Sequence, residues 1–146
     1  MSETTRRRVV VSDVDGSTQV DESTLTVDSE SPLATITDVW MTEGAGAADR
    51  APDPPWELVP PSAAATWRIV EFKAGTAGPD LSRRMHSTPT ADLGIIVSGE
   101  VLLVLEDLST VRLAAGDTFV LRGIQHTWAN ETDEPCVVAL VLVRRD

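Results

Sequence analysis

Cysteine is nearly absent from the 146-residue sequence, and no apolar run is long enough to cross a membrane. The single Cys136 cannot form an intramolecular disulfide, which is typical of a protein in a reducing compartment. A membrane-spanning helix needs ~18 consecutive apolar residues, and the basic start TTRRRVVVS is followed by too few for a signal peptide. We therefore expect a cytoplasmic protein.

Basic residues are also scarce. Twelve lysines and arginines stand against 23 aspartates and glutamates, so the formal net charge is −11. Nucleic-acid phosphates and anionic membrane surfaces both attract a basic face, so this charge argues against both classes of partner. The expected partner is a small organic molecule, and the length fits one domain with a substantial core.

Long amphipathic helices are missing as well, since no segment keeps the i, i+3, i+4 apolar spacing of a helix. Short runs rich in Val, Ile, Leu and Thr, separated by turn signals, predict strands instead. They are ATWRIVEFK, LGIIVSG, EVLLVLED, TVRLAAGD, TFVLRG, HTWAN and CVVALVLV, with RRVVVS and TITDVWM in the first half. Several runs are apolar on both faces, which predicts an all-β sandwich or closed barrel.

Composition divides the chain near residue 65. Residues 1–65 are acidic and rich in turn formers, and we expect a strand-containing arm that packs on a barrel or on a partner chain. Residues 66–146 would form the barrel, and two copies that exchange contacts through the arm would make a homodimer. Five prolines between Gly44 and Ala65 exclude a regular strand or helix there, so proteolysis should begin in this stretch unless a contact orders it. We expect Trp56 to make such a contact.

Two polar patterns frame the middle of the predicted barrel. The first is His86-x-Thr88-x3-Asp92-x6-Gly99, and the second runs from Gly116 to His126-x3-Asn130. Their spacing resembles the two motifs of the cupin family, the first of which reads H-x-H-x3-E-x6-G. The resemblance implies a double-stranded β-helix, or jelly-roll barrel. The sequence departs from the family at Thr88 and Asp92, and LRG replaces the usual Pro-x-Gly before His126.

The same resemblance implies one divalent metal inside the barrel, such as iron, zinc, manganese or nickel. The positions that match the family's ligands are His86, Thr88, Asp92 and His126. Threonine is a poor ligand, and aspartate is one methylene shorter than glutamate. The remaining set is His86, Asp92 and His126, and we expect a metal there to be weakly bound or absent.

Strand periodicity places further side chains near these groups. Alternate residues of a strand share a face, so His86 and Thr88 should point together, as should His126, Trp128 and Asn130. A pocket of this kind, mostly apolar with a few converging polar atoms, is typical of a small-molecule site. Trp128, Thr88 and Asn130 are the candidate substrate-binding residues, and Arg122 could pair with a substrate carboxylate at the mouth of the barrel. Trp40 and Trp67 are expected to pack within the fold.

Three functions remain open. Two imidazoles and one carboxylate suit an Fe(II)-dependent dioxygenase, or zinc with a bound water. Without a metal, His126 could act as the main acid–base group, with His86 and Asp92 assisting, because histidine titrates near neutral pH. A pocket that only binds its ligand is the third possibility. We favour a tailoring enzyme of lyase type that decarboxylates, dehydrates or cyclises a polyketide-like or aromatic acid.

Overall fold

The computed structural model describes residues 5–44, 49–61 and 63–145, and nearly all regular structure in them is β-strand. The strands are β1 (Arg6–Val14), β2 (Ser17–Leu25), β3 (Ser29–Glu30), β4 (Ala34–Thr42), β5 (Asp49–Arg50), β6 (Ala65–Phe72), β7 (Thr90–Ser98), β8 (Glu100–Leu105), β9 (Thr110–Ala114), β10 (Thr118–Arg122), β11 (His126–Ala129) and β12 (Cys136–Arg144). One 3-10 turn, Leu81–Arg84, precedes β7. No helix in the described ranges is long and apolar enough to span a bilayer.

All strand pairings are antiparallel, and they form three sheets. The large sheet has the order β10-β7-β12-β6-β4-β3, with β5 paired to the end of β4 on the same edge as β3, and a smaller sheet has the order β11-β8-β9. A buried apolar cluster lies between these two sheets and includes Ile96, Val101, Leu103, Phe119 and Val138. The prediction of an all-β fold with strands buried on both faces is therefore confirmed.

Every strand expected from the sequence is present, but three were not foreseen: β2 and the two-residue strands β3 and β5. β2 pairs with β1 in a separate two-stranded hairpin, from Arg6 opposite Leu25 to Val14 opposite Ser17. The turn between them is Asp15-Gly16, and both residues have positive φ, 52° and 80°. An Asp-Gly pair with this backbone is a strong hairpin signal. The polar sequence of β2 hid the strand because it has little apolar alternation.

The sequence boundary at residue 65 does not coincide with a boundary in the sheets. β4 pairs along its length with β6, so part of the expected arm belongs to the large sheet. The β1–β2 hairpin is the part of the arm that lies outside both barrel sheets, and Arg8 joins it to β4 by donating from Nη1 to the Val39 carbonyl at 3.1 Å.

The outer face of the large sheet is apolar and open to solvent. Trp67 is 49% exposed there, and Leu93, Ile95 and Val120 on neighbouring strands are also exposed. The expectation that Trp67 packs inside was wrong, because the alternation of β6 turns Trp67 outwards and Arg68 inwards. Exposed apolar faces often mark protein contacts. The homodimer expected from the sequence stays a prediction.

The proline-rich stretch is held against the barrel by a buried ion pair. Arg68 donates from Nε to Asp38 Oδ1 at 2.6 Å and from Nη2 to Oδ2 at 3.1 Å, and the two side chains are 3% and 1% exposed. Trp56 donates from its indole nitrogen to Asp38 Oδ2 at 2.9 Å, and the Arg68 guanidinium lies over the Trp56 ring. Arg68 Nη2 also donates to the Leu58 carbonyl. The expected docking of Trp56 is therefore confirmed.

Replacement of Asp38 tests this anchor. Asp38→Ala leaves the Arg68 charge buried and Trp56 without its acceptor, so we expect a loss of about 3–5 kcal/mol in the free energy of unfolding. Limited proteolysis should then cut faster between residues 49 and 61. Asp53→Ala is the matched control, because Asp53 pairs with Arg50 from an exposed position and its loss should cost about 0–1 kcal/mol. Equal effects of the two substitutions would contradict the anchoring role.

Candidate active site

A cavity of about 400 Å³ opens into the barrel between the two sheets. Most of its wall is apolar and includes Leu33, Ile36, Val70, Phe72, Trp128 and Leu140. Four polar side chains predicted from the sequence share one part of the wall: His86, Thr88, Asp92 and His126. The volume lies in the range of small-molecule sites, and the few polar groups in an apolar wall would orient a ligand.

The two histidines are brought together by a short backbone bridge. His86 N donates to the His126 carbonyl and His126 N donates to the His86 carbonyl, both at 2.9 Å. This bridge lies outside the regular strand pairing and follows the 3-10 turn that ends at Arg84. The ring centroids are 4.6 Å apart with a 55° angle between the planes. His86 is exposed, whereas His126 is only 4% exposed, so the inner histidine has the drier surroundings.

Backbone carbonyls select the tautomer of both rings. His126 Nδ1 lies 2.8 Å from the Ile124 carbonyl, and His86 Nδ1 lies 3.0 Å from the Arg84 carbonyl. A carbonyl only accepts, so each neutral ring carries its proton on Nδ1 and keeps the lone pair on Nε2. The atom that can take a proton from a ligand is therefore Nε2 in both rings.

A chain of hydroxyl groups leads from Thr88 to Asp92. The Thr88 and Thr90 hydroxyl oxygens are 2.6 Å apart, and Thr90 donates to Asp92 Oδ1 at 2.5 Å. A hydroxyl has one proton, so Thr88 must donate to Thr90 when Thr90 donates to the ionised carboxylate. Thr88 thus contacts the cavity as expected, but its hydroxyl is committed to the chain that orients Asp92.

Burial shifts the pKa values of the two inner groups in opposite directions. Desolvation lowers the pKa of His126 below 6.5, although its bond to the Ile124 carbonyl and the nearby Asp92 act against the shift. Desolvation also raises the pKa of Asp92 above 3.8, partly offset by the Thr90 hydroxyl and by the nearby cations. A low dielectric disfavours the charged form of each group, so His126 is neutral at pH 7.

Of the predicted substrate-binding residues, Trp128 lies in the cavity wall and Asn130 and Arg122 do not. The Trp128 ring centroid lies 5.2 Å from those of both Phe72 and Phe119. β11 ends at Ala129, so Asn130 leaves the alternation, and its amide binds the Phe72 and Glu134 carbonyls and accepts from Thr132. Arg122 is exposed on β10, and its carbonyl accepts from Arg145. Asn130 and Arg122 therefore lie outside the residues that line this cavity, and their substrate-binding roles stay predictions.

The residues do not form a three-ligand metal centre. Across the described ranges, no three His, Cys, Asp or Glu side chains converge closely enough to hold an ion. Asp92 accepts a hydrogen bond from Thr90. Thr88 stands at the position of the family's second imidazole, and its hydroxyl is hydrogen-bonded to Thr90. The geometry of His86 and His126 alone supplies two nitrogen ligands, fewer than catalytic sites for iron or zinc use.

A family model described as a cupin domain matches residues 68–143, slightly more than half of the sequence. The chain belongs to the cupin family. This confirms the resemblance inferred from the two motifs and, with the two facing antiparallel sheets, the jelly-roll fold.

Several solved cupin-fold structures resemble this cupin. The superposition on a putative ethanolamine utilization protein (EutQ) from Salmonella typhimurium covers 99% of this chain and 100% of the EutQ chain, with a TM-score of 0.57 and 13% identity. The superposition on the polyketide cyclase RemF from Streptomyces resistomycificus covers 77% of this chain and 66% of the RemF chain, with a TM-score of 0.52 and 17% identity. The superposition on KdgF from Halomonas sp. covers 80% of this chain and 84% of the KdgF chain, with a TM-score of 0.51 and 21% identity. At these identities the similarity shows the fold.

Two curated proteins of Diaporthe leptostromiformis match part of the cupin. They are phomopsin biosynthesis cluster proteins C' and D, each 38% identical over 65 residues, which is 44% of this chain. The match spans 32% of the length of each relative.

Three polar residues of the site were missed at the sequence level. Thr90 lies two residues from both Thr88 and Asp92, so strand alternation alone could have placed it with them. Arg84 donates to the Thr76 and Trp128 carbonyls from the cavity wall. Arg68 lines the cavity from β6, in a run that otherwise reads as apolar packing.

Substitution of Asp92 should stabilise the protein at neutral pH. The folded-state pKa is raised, so the ionised carboxylate costs stability above the unfolded pKa of 3.8, and this cost disappears as the pH falls below it. Asp92→Asn keeps an acceptor for Thr90, so thermal unfolding should shift upwards at pH 7 and converge with wild type near pH 3.5. Asp107→Asn is the control of opposite sign, because hydrogen bonds from Ser109 lower the pKa of the exposed Asp107. A lower unfolding temperature for Asp92→Asn at pH 7 would refute this account.

The departures from the metal motif should be reversible by design. After dialysis against a chelator, we expect the wild-type cupin to retain well below one divalent metal ion per chain, because loss of even a supporting contact weakens metal sites ~10–100-fold. Thr88→His with Asp92→Glu should restore tight binding, measured by elemental analysis. Full occupancy in wild type would contradict the weak-site hypothesis. No gain in the double variant would mean that the strands do not converge as in metal-binding relatives.

Proposed function

We propose that this cupin is a small-molecule tailoring enzyme of the lyase or cyclase type, acting on a polyketide-like or aromatic acid. The observation that carries the proposal is His126, a buried imidazole whose Nδ1 is fixed by the Ile124 carbonyl while the ring lines an apolar cavity. Nε2 is therefore a neutral, oriented base on a residue that is only 4% exposed. Such a group suits general base catalysis near neutral pH.

The reactions in this class share a proton transfer at a carbon beside a carbonyl. In a proton-shift cyclisation or dehydration, His126 Nε2 takes the proton from that carbon, and the C–H electron pair moves to the carbonyl oxygen as an enolate. In a cyclisation the enolate carbon then bonds to a second carbonyl carbon, whose oxygen takes the proton from His126. In a dehydration the enolate re-forms the carbonyl and expels the β-hydroxyl, which takes the proton from His126 and leaves as water. In a decarboxylation, the carbon–carbon bond breaks to release CO₂, and the resulting enolate carbon takes a proton. Asp92, whose pKa burial raises, is the second group placed to hold a proton in the cavity.

The apolar wall supports the substrate class. Trp128 and Phe72 present aromatic rings to the cavity with centroids 5.2 Å apart, and a planar substrate would gain dispersion and stacking contacts there. The two partial matches to phomopsin biosynthesis cluster proteins support a place in secondary metabolism.

Benzoylacetate in D₂O provides a test, because this aromatic β-keto acid reports both deuterium exchange at C2 and decarboxylation to acetophenone. The wild-type cupin should accelerate at least one of these. His126→Gln should lower that rate by about 100-fold or more, since a positioned base typically contributes 10²–10⁴-fold. NMR follows both reactions in one sample.

The pH profile separates a base from a structural histidine. Activity should fall as the pH drops through a midpoint below 6.5, because only neutral His126 accepts a proton. His86→Gln should raise that midpoint, since the nearby His86 lowers the pKa of His126. Cys136→Ser, buried away from the cavity wall, is the control for general packing damage. Equal rates in wild type and His126→Gln, with both proteins folded, would refute the proposal.

A further inference from the structure

We propose that Arg68 is the carboxylate-binding residue of the cavity and makes the site selective for acids. The inference rests on the proposed function in that it treats the cavity as the substrate site. It takes over the role that the sequence assigned to Arg122, which lies outside the cavity.

The argument begins with unused hydrogen-bond donors. A guanidinium has five N–H groups. Three of them are used: Nε and one Nη2 proton bind Asp38, and the other Nη2 proton binds the Leu58 carbonyl. Nη1 donates none of the hydrogen bonds formed among the described residues. The two Nη1 donors are therefore free to bind an acceptor from a ligand, and a hydrogen bond to a side chain that is only 3% exposed is stronger than one in water.

The remaining surface of Arg68 borders the cavity. Arg68 lies in its wall, whereas the smaller cavity beneath the proline-rich stretch is lined by Asp38 and Trp56 but not by Arg68. The fully sealed, unpartnered side-chain nitrogens in the described ranges are Nε of Arg8 and Nε of Arg84. Arg68 Nη1 is not among them, so it retains surface that a ligand can reach.

Sheet register places Arg68 and Asp92 in the same sheet, with β12 between their strands. Arg68 is opposite Leu140 on β12, and two residues further along β12 Leu142 is opposite Asp92 on β7. With strands about 4.8 Å apart, the two charged residues start from strands separated by about 10 Å. The strand between the two charged residues, β12, presents the apolar Leu140 and Leu142 to the cavity. His126 lies on β11 of the other sheet and lines the same cavity, so we place the carboxylate of a planar acid at Arg68 and its reacting carbon near His126.

The Asp38 partner shapes this anchor without removing it. The Asp38 carboxylate accepts hydrogen bonds from the Trp56 indole and from two nitrogens of Arg68, and it holds the guanidinium plane fixed. A fixed plane loses little entropy when Nη1 binds a second carboxylate, and a planar fork recognises such an oxygen more selectively than an ammonium does. A ligand without a carboxylate leaves Nη1 without that charged partner, so the site favours acids over neutral compounds of the same shape.

The test compares 2-naphthoate with 2-naphthamide, which has the same ring and no charge. Isothermal titration calorimetry at pH 7 should give wild type at least tenfold tighter binding of the acid. Arg68→Gln alone can unfold the barrel by leaving Asp38 buried and unpaired, so the main variant is Arg68→Gln with Asp38→Asn, which removes both charges and keeps an acceptor for Trp56. This double variant should bind the two compounds equally.

Arg84 provides the matched control, because it is the other arginine of the cavity wall among the described residues. Arg84→Gln should preserve the acid preference. The proposal is overturned if the folded double variant still prefers naphthoate, if wild type shows no preference, or if the preference is lost with Arg84 instead. Repeating the titration in His126→Gln keeps binding separate from catalysis: if this variant keeps both the wild-type rate and the acid preference, the proposed reaction is refuted and the anchor stands.

Discussion

The buried ion pair between Asp38 and Arg68 is the interaction on which the rest of this cupin depends. Removing two charges from water is costly, and the cost is offset only when geometry is good and further hydrogen bonds satisfy both groups. Here Trp56 and the Leu58 carbonyl supply those bonds. The Asp38–Arg68 pair therefore links β4 to β6 through their side chains. Its bonds to Trp56 and Leu58 also hold the proline-rich stretch on the barrel, where Leu58 forms part of the cavity wall.

The dry cavity that results explains how the site can combine an acid and a base. Desolvation favours neutral His126 and protonated Asp92, so the two pKa values move towards one another. Shifts of this kind bring an acid and a base into reach of one another's protons, which is the usual condition for acid–base catalysis. The fixed Nδ1 contact of His126 adds orientation, and the threonine chain does the same for Asp92.

Much of the fold and part of the site could be predicted because they depend on local patterns. Short runs rich in Val, Ile, Leu and Thr between turn signals identified β6 to β12, and the spacing of His86, Asp92 and His126 gathered three groups that do line one cavity. β2 was missed because its polar sequence lacks such a run, although the Asp15-Gly16 turn carried the signal. Asn130 was misplaced because β11 stops one residue earlier, and alternation has no meaning beyond the end of a strand.

By itself, the sequence determined that neighbouring residues such as Trp67 and Arg68 face opposite sides of a strand, but not which of them faces inwards. Transfer energies favour burying tryptophan, and that preference is reversed here by Asp38, a partner 30 residues away that pairs with Arg68 only after β4 and β6 align. The choice of arginine in the cavity wall also depends on long-range pairing. The sequence suggested Arg122, whereas the pairing of β4 with β6 brings Arg68 to the wall and Arg122 lies outside it. Local patterns act through neighbours along the chain, whereas a buried charge is decided by whichever distant group can satisfy it.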